Sequence, residues 1–186
     1  DRRDRTRPAL QIDEIFLCTR QTTPEELQEF CRSADFVVHL AGVNRPQDPK
    51  EFAAGNTELT RSLLAQLRRS GNRCPVLLAS SVQASPTGRY ADSPYGMSKR
   101  AAETLLQSHS EETGAEGLIY RLPNLFGKWC RPNYNSVVAT FCHNIARDLP
   151  ITVSDPETEL ELSYIDDVID EMLDAMEGRP HRVSAS

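Results

Sequence analysis

Three near-continuous apolar segments constrain the fold of this chain more than any other feature. They cover residues 36–41, 75–79 and 117–122. Strands that are apolar on both faces are typical of the interior of a parallel sheet, where helices cover both sides. Parallel strands need a long crossover between them, and each gap here is long enough for a helix. The segments therefore predict an α/β protein.

Helical patterns fill the gaps between these segments. Leu59, Leu63 and Leu67 recur at helical spacing, and Thr23 followed by Pro24 is a typical helix start. The complete pattern alternates strands with helices, which predicts a Rossmann-type, doubly wound parallel sheet. The predicted strands are 15–18, 36–41, 75–79, 117–122 and 160–165, and the predicted helices are 24–32, 59–69, 94–110, 135–147 and 166–176.

No Gly-rich phosphate-binding turn accompanies this pattern. The 9 glycines form no G-x-G-x-x-G and no relative of it, although a nucleotide-binding fold of this kind begins with a strand, such a turn and a helix. We therefore expect a fragment of the fold that lacks the first strand and the Gly-rich turn. The predicted organisation is a polar N-terminal segment at 1–14, a partial domain at 15–177 and a polar tail at 178–186.

Composition and charge exclude several classes of protein. The chain has 186 residues, of which 39% are hydrophobic and 26% charged, as in an ordinary globular domain. Its net charge of −6 gives no support to general nucleic-acid binding. No apolar run approaches the length of about 18 residues that a membrane span needs. The 5 irregularly spaced cysteines predict neither a disulfide framework nor a metal site, and they favour a reducing, cytoplasmic location.

The stretch 93–99 carries the most chemistry. Tyr95 and Lys99 are four residues apart, so they share one face of a helix that Ser93 caps and Pro94 starts. The helix dipole and the Lys99 ammonium both favour a phenolate, so we expect a lowered pKa for Tyr95. An acid or base that works at neutral pH needs such help.

Two serines, Ser80 and Ser81, directly follow the predicted strand 75–79. Ligands of doubly wound folds bind at the carboxyl ends of the strands, so a serine hydroxyl there can orient a substrate carbonyl beside Tyr95. Taken alone, each feature has a plainer interpretation. The Tyr-x-x-x-Lys spacing also occurs at an exposed helix start with a solvated lysine, and the serines also fit an ordinary turn.

Several motifs in order along the chain carry a family resemblance. The chain resembles the extended short-chain dehydrogenases/reductases, a group of NAD(P)-dependent nucleotide-sugar epimerases, dehydratases and reductases. Within it, residues 39–46 and 120–141 resemble a subgroup of capsular polysaccharide reductases that act on a UDP-2-acetamido-2,6-dideoxy-hexulose. The motifs that carry the resemblance are His39-Leu40-Ala41-Gly42, Gly55-Asn56-Thr57, Ser80-Ser81, the run 93–99, the run 121–127 and the run 164–168.

The resemblance implies an activity and a set of site residues. The activity is NADPH-dependent reduction of the C4 ketone of a UDP-linked deoxy-amino sugar, on the route to UDP-N-acetyl-L-fucosamine for capsule or O-antigen. Tyr95 donates the proton, Lys99 lowers its pKa and holds the nicotinamide ribose, and Ser81, with Ser80 as second choice, orients the carbonyl. The implied cofactor residues are Leu40, Ala41, Gly42, Asn56, Tyr95, Lys99 and Leu122, and the implied substrate residues are Asn44, Gln83, Asn124 and Arg131.

Two further residues predict the cofactor to be NADP(H) rather than NAD(H). NAD enzymes place a carboxylate at the end of the second strand to bind the ribose 2′-hydroxyl, and that carboxylate would repel a 2′-phosphate. Thr19 and Arg20 stand there instead. Thr19 offers a neutral hydroxyl, and the Arg20 guanidinium offers several donors to phosphate oxygens. A solvated Arg20 that points elsewhere is the alternative.

The resemblance also implies partners, and it leaves two other functions open. It implies a homodimer through helices 57–69 and 95–110, a C-terminal cupin domain in the full-length protein, and no nucleic-acid or membrane partner. A nucleotide-sugar 4-epimerase is the first alternative and a non-catalytic remnant of the fold is the second. A 4,6-dehydratase fits less well, because Val82 and Gln83 stand where the dehydratases usually carry an Asp-Glu pair.

Overall fold

A computed structural model describes residues 10–44, 46–48, 50–88, 90–153 and 155–181. The described chain divides into two compact units. The larger unit is Asp13–Leu122, and the smaller unit contains Pro123 and the residues after it, together with residues up to Ile12. The predicted segments 1–14 and 178–186 lie partly outside the described residues, and the predicted domain boundaries stay a prediction.

The larger unit alternates helices with parallel strands, as its sequence predicts. The strands β1, β2 and β3 form one sheet in the order β1-β2-β3, and Leu78 of β2 lies opposite His39 of β1 and Ile119 of β3. The elements are α1 (Pro24–Ser33), β1 (Val37–His39), α2 (Lys50–Phe52), a π-helical turn (Ala53–Glu58), α3 (Leu59–Ser70), β2 (Val76–Ser81), a 3₁₀ turn (Val82–Ala84), α4 (Pro94–Thr113) and β3 (Gly117–Leu122). The α/β class and the parallel strand direction are confirmed.

The core of the larger unit packs the sheet against α1, α3 and α4. Burial of apolar side chains is the main source of stability, and nearly all of β2 is buried. Cys31 and Cys74 belong to this core, so they serve as small apolar side chains, and burial raises the pKa of the Cys31 thiol to about 11. The buried core residues are Cys31, Leu64, Leu67, Cys74, Val76, Leu78, Ala102 and Leu106.

The smaller unit has a separate two-stranded sheet. It contains β4 (Asn124–Phe126), α5 (Val137–Ile145), β5 (Leu162–Tyr164) and α6 (Ile165–Met176), and β4 pairs with β5 in parallel. The sequence patterns miss β4, because Pro123 and the polar Asn124 interrupt the apolar run. Gly127 follows β4 with φ +129°, and a Cβ there would lie 2.6 Å from Cγ2 of Ile165. Only glycine fits this turn without strain.

The predicted strand at 15–18 is wrong. Within the described part of the chain, these residues belong to no helix or strand, and β1 pairs only with β2. A short apolar segment becomes a strand only when a neighbouring strand bonds its amide and carbonyl groups. Here Phe16 instead stacks on Phe30 of α1 at 4.9 Å between ring centroids. The tertiary environment, not the local pattern, decides the state of this segment.

Candidate active site

Tyr95 lies in the first turn of α4, and the local sequence fixes that turn closely. Ser93 caps the helix, because its hydroxyl accepts the Gly96 N–H at 3.0 Å, and Pro94 is the first helical residue. A Cβ at Gly96 would lie 2.2 Å from the carbonyl oxygen of Gln83. The glycine therefore lets the helix start press against the 3₁₀ turn that follows β2, which brings Tyr95 to the carboxyl end of that strand.

Ser81, the last residue of β2, meets Tyr95 there. The Ser81 hydroxyl is close enough to the Tyr95 phenol to act on its pKa, and it accepts the Gln83 N–H at 3.2 Å. Both serines belong to β2, but Ser81 also caps the 3₁₀ turn that follows, so the turn interpretation is wrong for Ser80 and holds for Ser81. The Phe52 ring packs against the Tyr95 ring, with 5.7 Å between the two ring centroids.

The pKa of Tyr95 is raised above its usual value, not lowered as the sequence led us to expect. Burial disfavours the charged phenolate and outweighs the Ser81 hydrogen bond, which acts in the opposite direction. The Lys99 Nζ lies 6.0 Å from the centroid of the Tyr95 ring. The phenol therefore stays protonated at neutral pH, which is the state that a proton donor requires.

Lys99 lies one helical turn beyond Tyr95, with its charged end buried. Its side chain is only 6% exposed, and Nζ donates to the Ala79 carbonyl of β2 at 2.9 Å. Burial lowers its pKa, while the Glu103 carboxylate raises it. Tyr95, Ser81 and Lys99 thus converge at one edge of the sheet, although they come from two different elements.

Asn56 joins the end of β1 to α4. Its Oδ1 accepts the Val43 N–H at 2.8 Å, and its Nδ2 donates to the Val43 carbonyl and to the Ser98 hydroxyl at 3.0 and 2.9 Å. Because these bonds use its amide within the protein, Asn56 holds the loop after β1 in place. A Cβ at Gly42 would lie 2.7 Å from Oδ1 of Asn56 and 3.2 Å from Nζ of Lys99. Gly42 therefore permits the close approach.

His39 extends this network into the sheet. Its Nε2 lies 2.9 Å from the Thr60 hydroxyl, which itself donates to the Asn56 carbonyl at 2.7 Å. A hydroxyl has only one proton to donate, so Nε2 of His39 must be the donor to Thr60. Burial, together with the Lys99 charge, lowers the pKa of His39 to about 4. His39 is therefore neutral at pH 7.

Ser80 takes a different partner from Ser81. Successive side chains along a strand point in opposite directions, and the Ser80 hydroxyl donates to Oε1 of Glu103 at 2.5 Å. The second choice for the carbonyl-orienting hydroxyl is thus engaged elsewhere. Glu103 is a site residue absent from the predicted set, although its spacing of four residues from Lys99 and eight from Tyr95 places all three on one helix face.

The predicted cofactor residues outside this cluster are mostly exposed. Leu40, Ala41 and Gly42 follow β1 and leave their backbone open, and Leu122 ends β3 half-buried. An open, glycine-containing strand end beside a buried ammonium and a phenol fits a nicotinamide dinucleotide. Thr19 and Arg20 are exposed in a turn, where the Thr19 hydroxyl accepts the Gln21 N–H at 3.2 Å.

The predicted substrate residues divide between the two units. In the larger unit Asn44 is exposed and Gln83 is half-buried, whereas Asn124 is exposed on β4 of the smaller unit. Arg131 belongs to the loop after β4, and its guanidinium carbon lies 5.7 Å from the centroid of the Tyr134 ring. The geometry brings Ser81, Tyr95 and Lys99 together, but it does not by itself group the substrate residues.

Comparison with known proteins decides the family. A family model described as the NAD dependent epimerase/dehydratase family matches residues 1–183. The chain belongs to this family. The larger unit, with its parallel strands and its tyrosine and lysine at the carboxyl end of β2, is thus part of an epimerase/dehydratase fold.

Within the epimerase/dehydratase family, two relatives are about 50% identical to this chain over the aligned residues. A UDP-2-acetamido-2,6-beta-L-arabino-hexul-4-ose reductase of Pseudomonas aeruginosa is 50% identical over 166 residues, which are 89% of this chain and 43% of that protein. The crystal structure of the capsular polysaccharide assembling protein CapF from Staphylococcus aureus is 49% identical with a TM-score of 0.77, over 92% of this chain and 45% of CapF. The chain therefore spans less than half the length of these relatives.

A more distant structure supports the fold alone. The UDP-glucose 4-epimerase of Thermotoga maritima is 23% identical with a TM-score of 0.71, over 81% of this chain and 56% of that chain.

Within its described residues, the structure contains no helix long and apolar enough to span a membrane.

Proposed function

We propose that this chain belongs to an enzyme that reduces the C4 ketone of a UDP-linked 2-acetamido-2,6-dideoxy-hexulose with NADPH. The observation that carries the proposal is the convergence of Ser81, Tyr95 and Lys99 at the carboxyl end of β2. The 50% identity to a reductase of such a sugar supports the substrate class. The product would serve capsule or O-antigen assembly, in line with the likeness to CapF, a capsular polysaccharide assembling protein.

The proposed mechanism needs one proton donor and one group that orients the ketone. The reduced nicotinamide, when bound, supplies the hydride that adds to the C4 carbon. Tyr95 gives its phenolic proton to the carbonyl oxygen as that oxygen gains an electron pair, and its raised pKa keeps the proton available. The Ser81 hydroxyl holds the carbonyl oxygen next to the phenol. The Lys99 ammonium stabilises the phenolate that remains after proton transfer.

We assign the cofactor and substrate contacts as follows. Leu40, Ala41, Gly42 and Leu122 lie along the cofactor, Thr19 and Arg20 select NADP(H) over NAD(H), and Asn56 positions the loop that carries Gly42. The guanidinium of Arg131 pairs with the diphosphate of the UDP-sugar, because its planar set of donors matches phosphate geometry. Asn44, Gln83 and Asn124 bind other polar groups of the substrate.

We further propose a homodimer, a C-terminal cupin domain in the full-length protein and a cytoplasmic location. The relatives' greater length is compatible with an additional domain, and the free cysteines fit a reducing compartment. The leucines of the two helices expected to pair, 57–69 and 95–110, mostly pack in the core of their own chain, and only Leu59 among them is exposed. The outer face of α4, with Met97 and Thr104 exposed, is therefore the better candidate for contact with a second copy.

The decisive experiment follows the absorbance of NADPH with the C4-keto sugar nucleotide as substrate. The chain is tested alone and as a chimera with the remaining segments of the Pseudomonas aeruginosa relative. Consumption of NADPH with formation of the 4-hydroxy sugar supports the proposal. A tightly bound NAD and interconversion of C4 epimers without net oxidation of NADPH would instead support the 4-epimerase alternative. A chimera that binds no nicotinamide would support the non-catalytic alternative.

A further inference from the structure

Glu103 is a buried carboxylate with a complete set of bonds. Its side chain is 3% exposed, and residues of two different strands donate hydrogen bonds to its carboxylate. The Ser80 hydroxyl of β2 donates to Oε1, and Arg121 of β3 donates through Nε to Oε1 at 3.0 Å and through Nη2 to Oε2 at 2.7 Å. A bidentate pair of this kind fixes both the position and the orientation of the carboxylate.

This carboxylate is carried by the same helix as Lys99, the one buried ammonium among the described residues of the larger unit, and its charge raises the pKa of Lys99. Lys99 and Glu103 are four residues apart on α4, which places their side chains on one face. Lys99 is also buried, and its Nζ donates to an uncharged group, the backbone carbonyl of Ala79. A buried charge without a nearby opposite charge is costly, and Glu103 supplies that charge.

The other titratable or charged groups around Lys99 give it no comparable support. Tyr95 on α4 stays protonated and therefore neutral, and His39 on β1 is neutral at pH 7. Arg121 on β3 is cationic and opposes the Lys99 charge, although it is bonded to Glu103. The balance between Glu103 and Arg121 thus determines how much negative charge acts on Lys99.

We propose that Glu103 is a positioning residue that keeps the Lys99 ammonium charged in its buried place, and that Arg121 limits how much of the Glu103 charge reaches Lys99. Glu103 touches neither the phenol nor the ketone of the proposed reaction, so it acts through Lys99. The relevance to catalysis rests on the proposed function, but the electrostatic coupling itself does not.

The proposal predicts opposite effects for the two members of one ion pair. Glu103→Gln removes the negative charge and leaves Arg121, so Lys99 should lose its proton at lower pH. Arg121→Gln leaves the carboxylate unneutralised, so Lys99 should lose its proton at higher pH. A merely structural ion pair predicts a loss of stability in both variants, with no opposite displacement of the Lys99 titration.

The test is a direct titration of Lys99 by NMR in this chain without cofactor or substrate. The chain has lysines only at 50, 99 and 128, so a sample with ¹³C-labelled lysine gives three Cε signals, and the one that Lys99→Arg removes is assigned to Lys99. We expect the midpoint in Glu103→Gln to fall by about one pH unit, the lower end of what the loss of one nearby opposite charge produces. We expect the midpoint in Arg121→Gln to rise.

The matched control is Glu112→Gln, which removes the same charge from the same helix. Glu112 lies thirteen residues beyond Lys99, which is about 20 Å along α4, so the Lys99 midpoint should not move. If Glu103→Gln does not fold by circular dichroism, Arg121→Gln decides the question. An unchanged or lower midpoint in Arg121→Gln, or an unchanged midpoint in a folded Glu103→Gln, would overturn the proposal. Neither result depends on whether the chain reduces a sugar.

Discussion

The two units of this chain differ in how deeply their strands are buried. In the larger unit, β2 is almost entirely buried between two parallel neighbours, and Leu77 and Leu67 are fully enclosed. In the smaller unit, β4 and β5 have three residues each, Leu162 is 42% exposed and Trp129 is 98% exposed. The candidate proton-transfer residues lie on rigid, buried elements, whereas Asn124 and Arg131 lie on an exposed strand and a loop.

This difference matches what each kind of residue has to do. A proton donor must be held within hydrogen-bonding reach of its acceptor, so packing has to fix its position. A residue that binds the substrate has to be reachable, and binding residues are often carried by loops on a rigid scaffold. If this division of roles is correct, equivalent substitutions in the two units should have unequal effects.

The first test compares a tyrosine of each unit. Tyr95→Phe should lower kcat of the chimera described above by about 10² to 10⁴, since it removes the proton donor but keeps the ring. Tyr164→Phe in the smaller unit removes a hydroxyl that donates to Asp166 at 3.2 Å, and kcat should stay within about threefold of wild type. The measurement is NADPH oxidation, with circular dichroism as a check on folding. A Tyr95→Phe enzyme within about threefold of wild type would contradict the assignment, because that is less than about 1 kcal/mol of barrier.

The second test compares the two packing environments. Leu67→Ala should lower the free energy of unfolding by about 2–5 kcal/mol, because it leaves a cavity in the core of the larger unit. Leu162→Ala, on the exposed β5, should cost less than about 1 kcal/mol, because little apolar surface is buried there. Urea unfolding followed by circular dichroism measures both. Equal losses would mean that the smaller unit is packed as tightly as the larger one.

The third test uses pH to probe the buried network of the larger unit. The pKa of His39 is lowered to about 4, whereas an unfolded histidine titrates near 6.5. Between these two values only the unfolded chain binds the proton, so stability is lost as the pH falls from about 6.5 towards 4. The loss from His39 is about 3 kcal/mol. His39→Gln should therefore show a weaker decline over this range in urea unfolding, and an identical decline would show that His39 is not responsible.

The buried His109 contributes in the same direction, because burial lowers its pKa as well. For this reason His39→Gln should reduce the decline in stability without abolishing it. His39→Gln combined with His109→Gln should reduce it further.

The fourth test concerns the exposed edge of the larger unit. Arg20→Ala should lower kcat/KM for NADPH by about tenfold and leave kcat/KM for NADH nearly unchanged, since a hydrogen bond to a charged group contributes about 1.5–3 kcal/mol when well formed. Thr19→Ala serves as the comparison at the neighbouring position. Equal effects of Arg20→Ala on kcat/KM for both cofactors would show that Arg20 does not bind the 2′-phosphate.

Much of the fold follows from local patterns, for reasons that particular residues make clear. The helix start at Thr23 and Pro24 is confirmed with a complete capping box to Glu26, and Gly117–Leu122 is a strand with the predicted bounds. Both features depend on neighbours in sequence or on uniform burial. The segment at 15–18 has an equally apolar pattern but no strand beside it, and that absence of a partner is not visible in the local sequence.

Some features of the candidate site likewise follow from the sequence, and others do not. The spacing of Tyr95 and Lys99 follows from sequence alone, because helix geometry places residues four apart on one face. The direction of the Tyr95 pKa change was wrong, because we counted the helix dipole and the lysine but not the burial of the phenol. The distinction between Ser80 and Ser81 also came only from the structure, which gives one serine to Glu103 and the other to Tyr95.

By itself the sequence determined the α/β class, the order of most helices and strands, and the two residues that share the first turns of α4. These are properties of periodicity and of helix caps, which act over a few residues. Which groups are buried, which serine neighbours the phenol, and the burial of a carboxylate on the same helix as Lys99 follow only from the tertiary structure. Burial and partnership depend on elements far apart in the chain, because desolvation and charge act through space and not along the sequence.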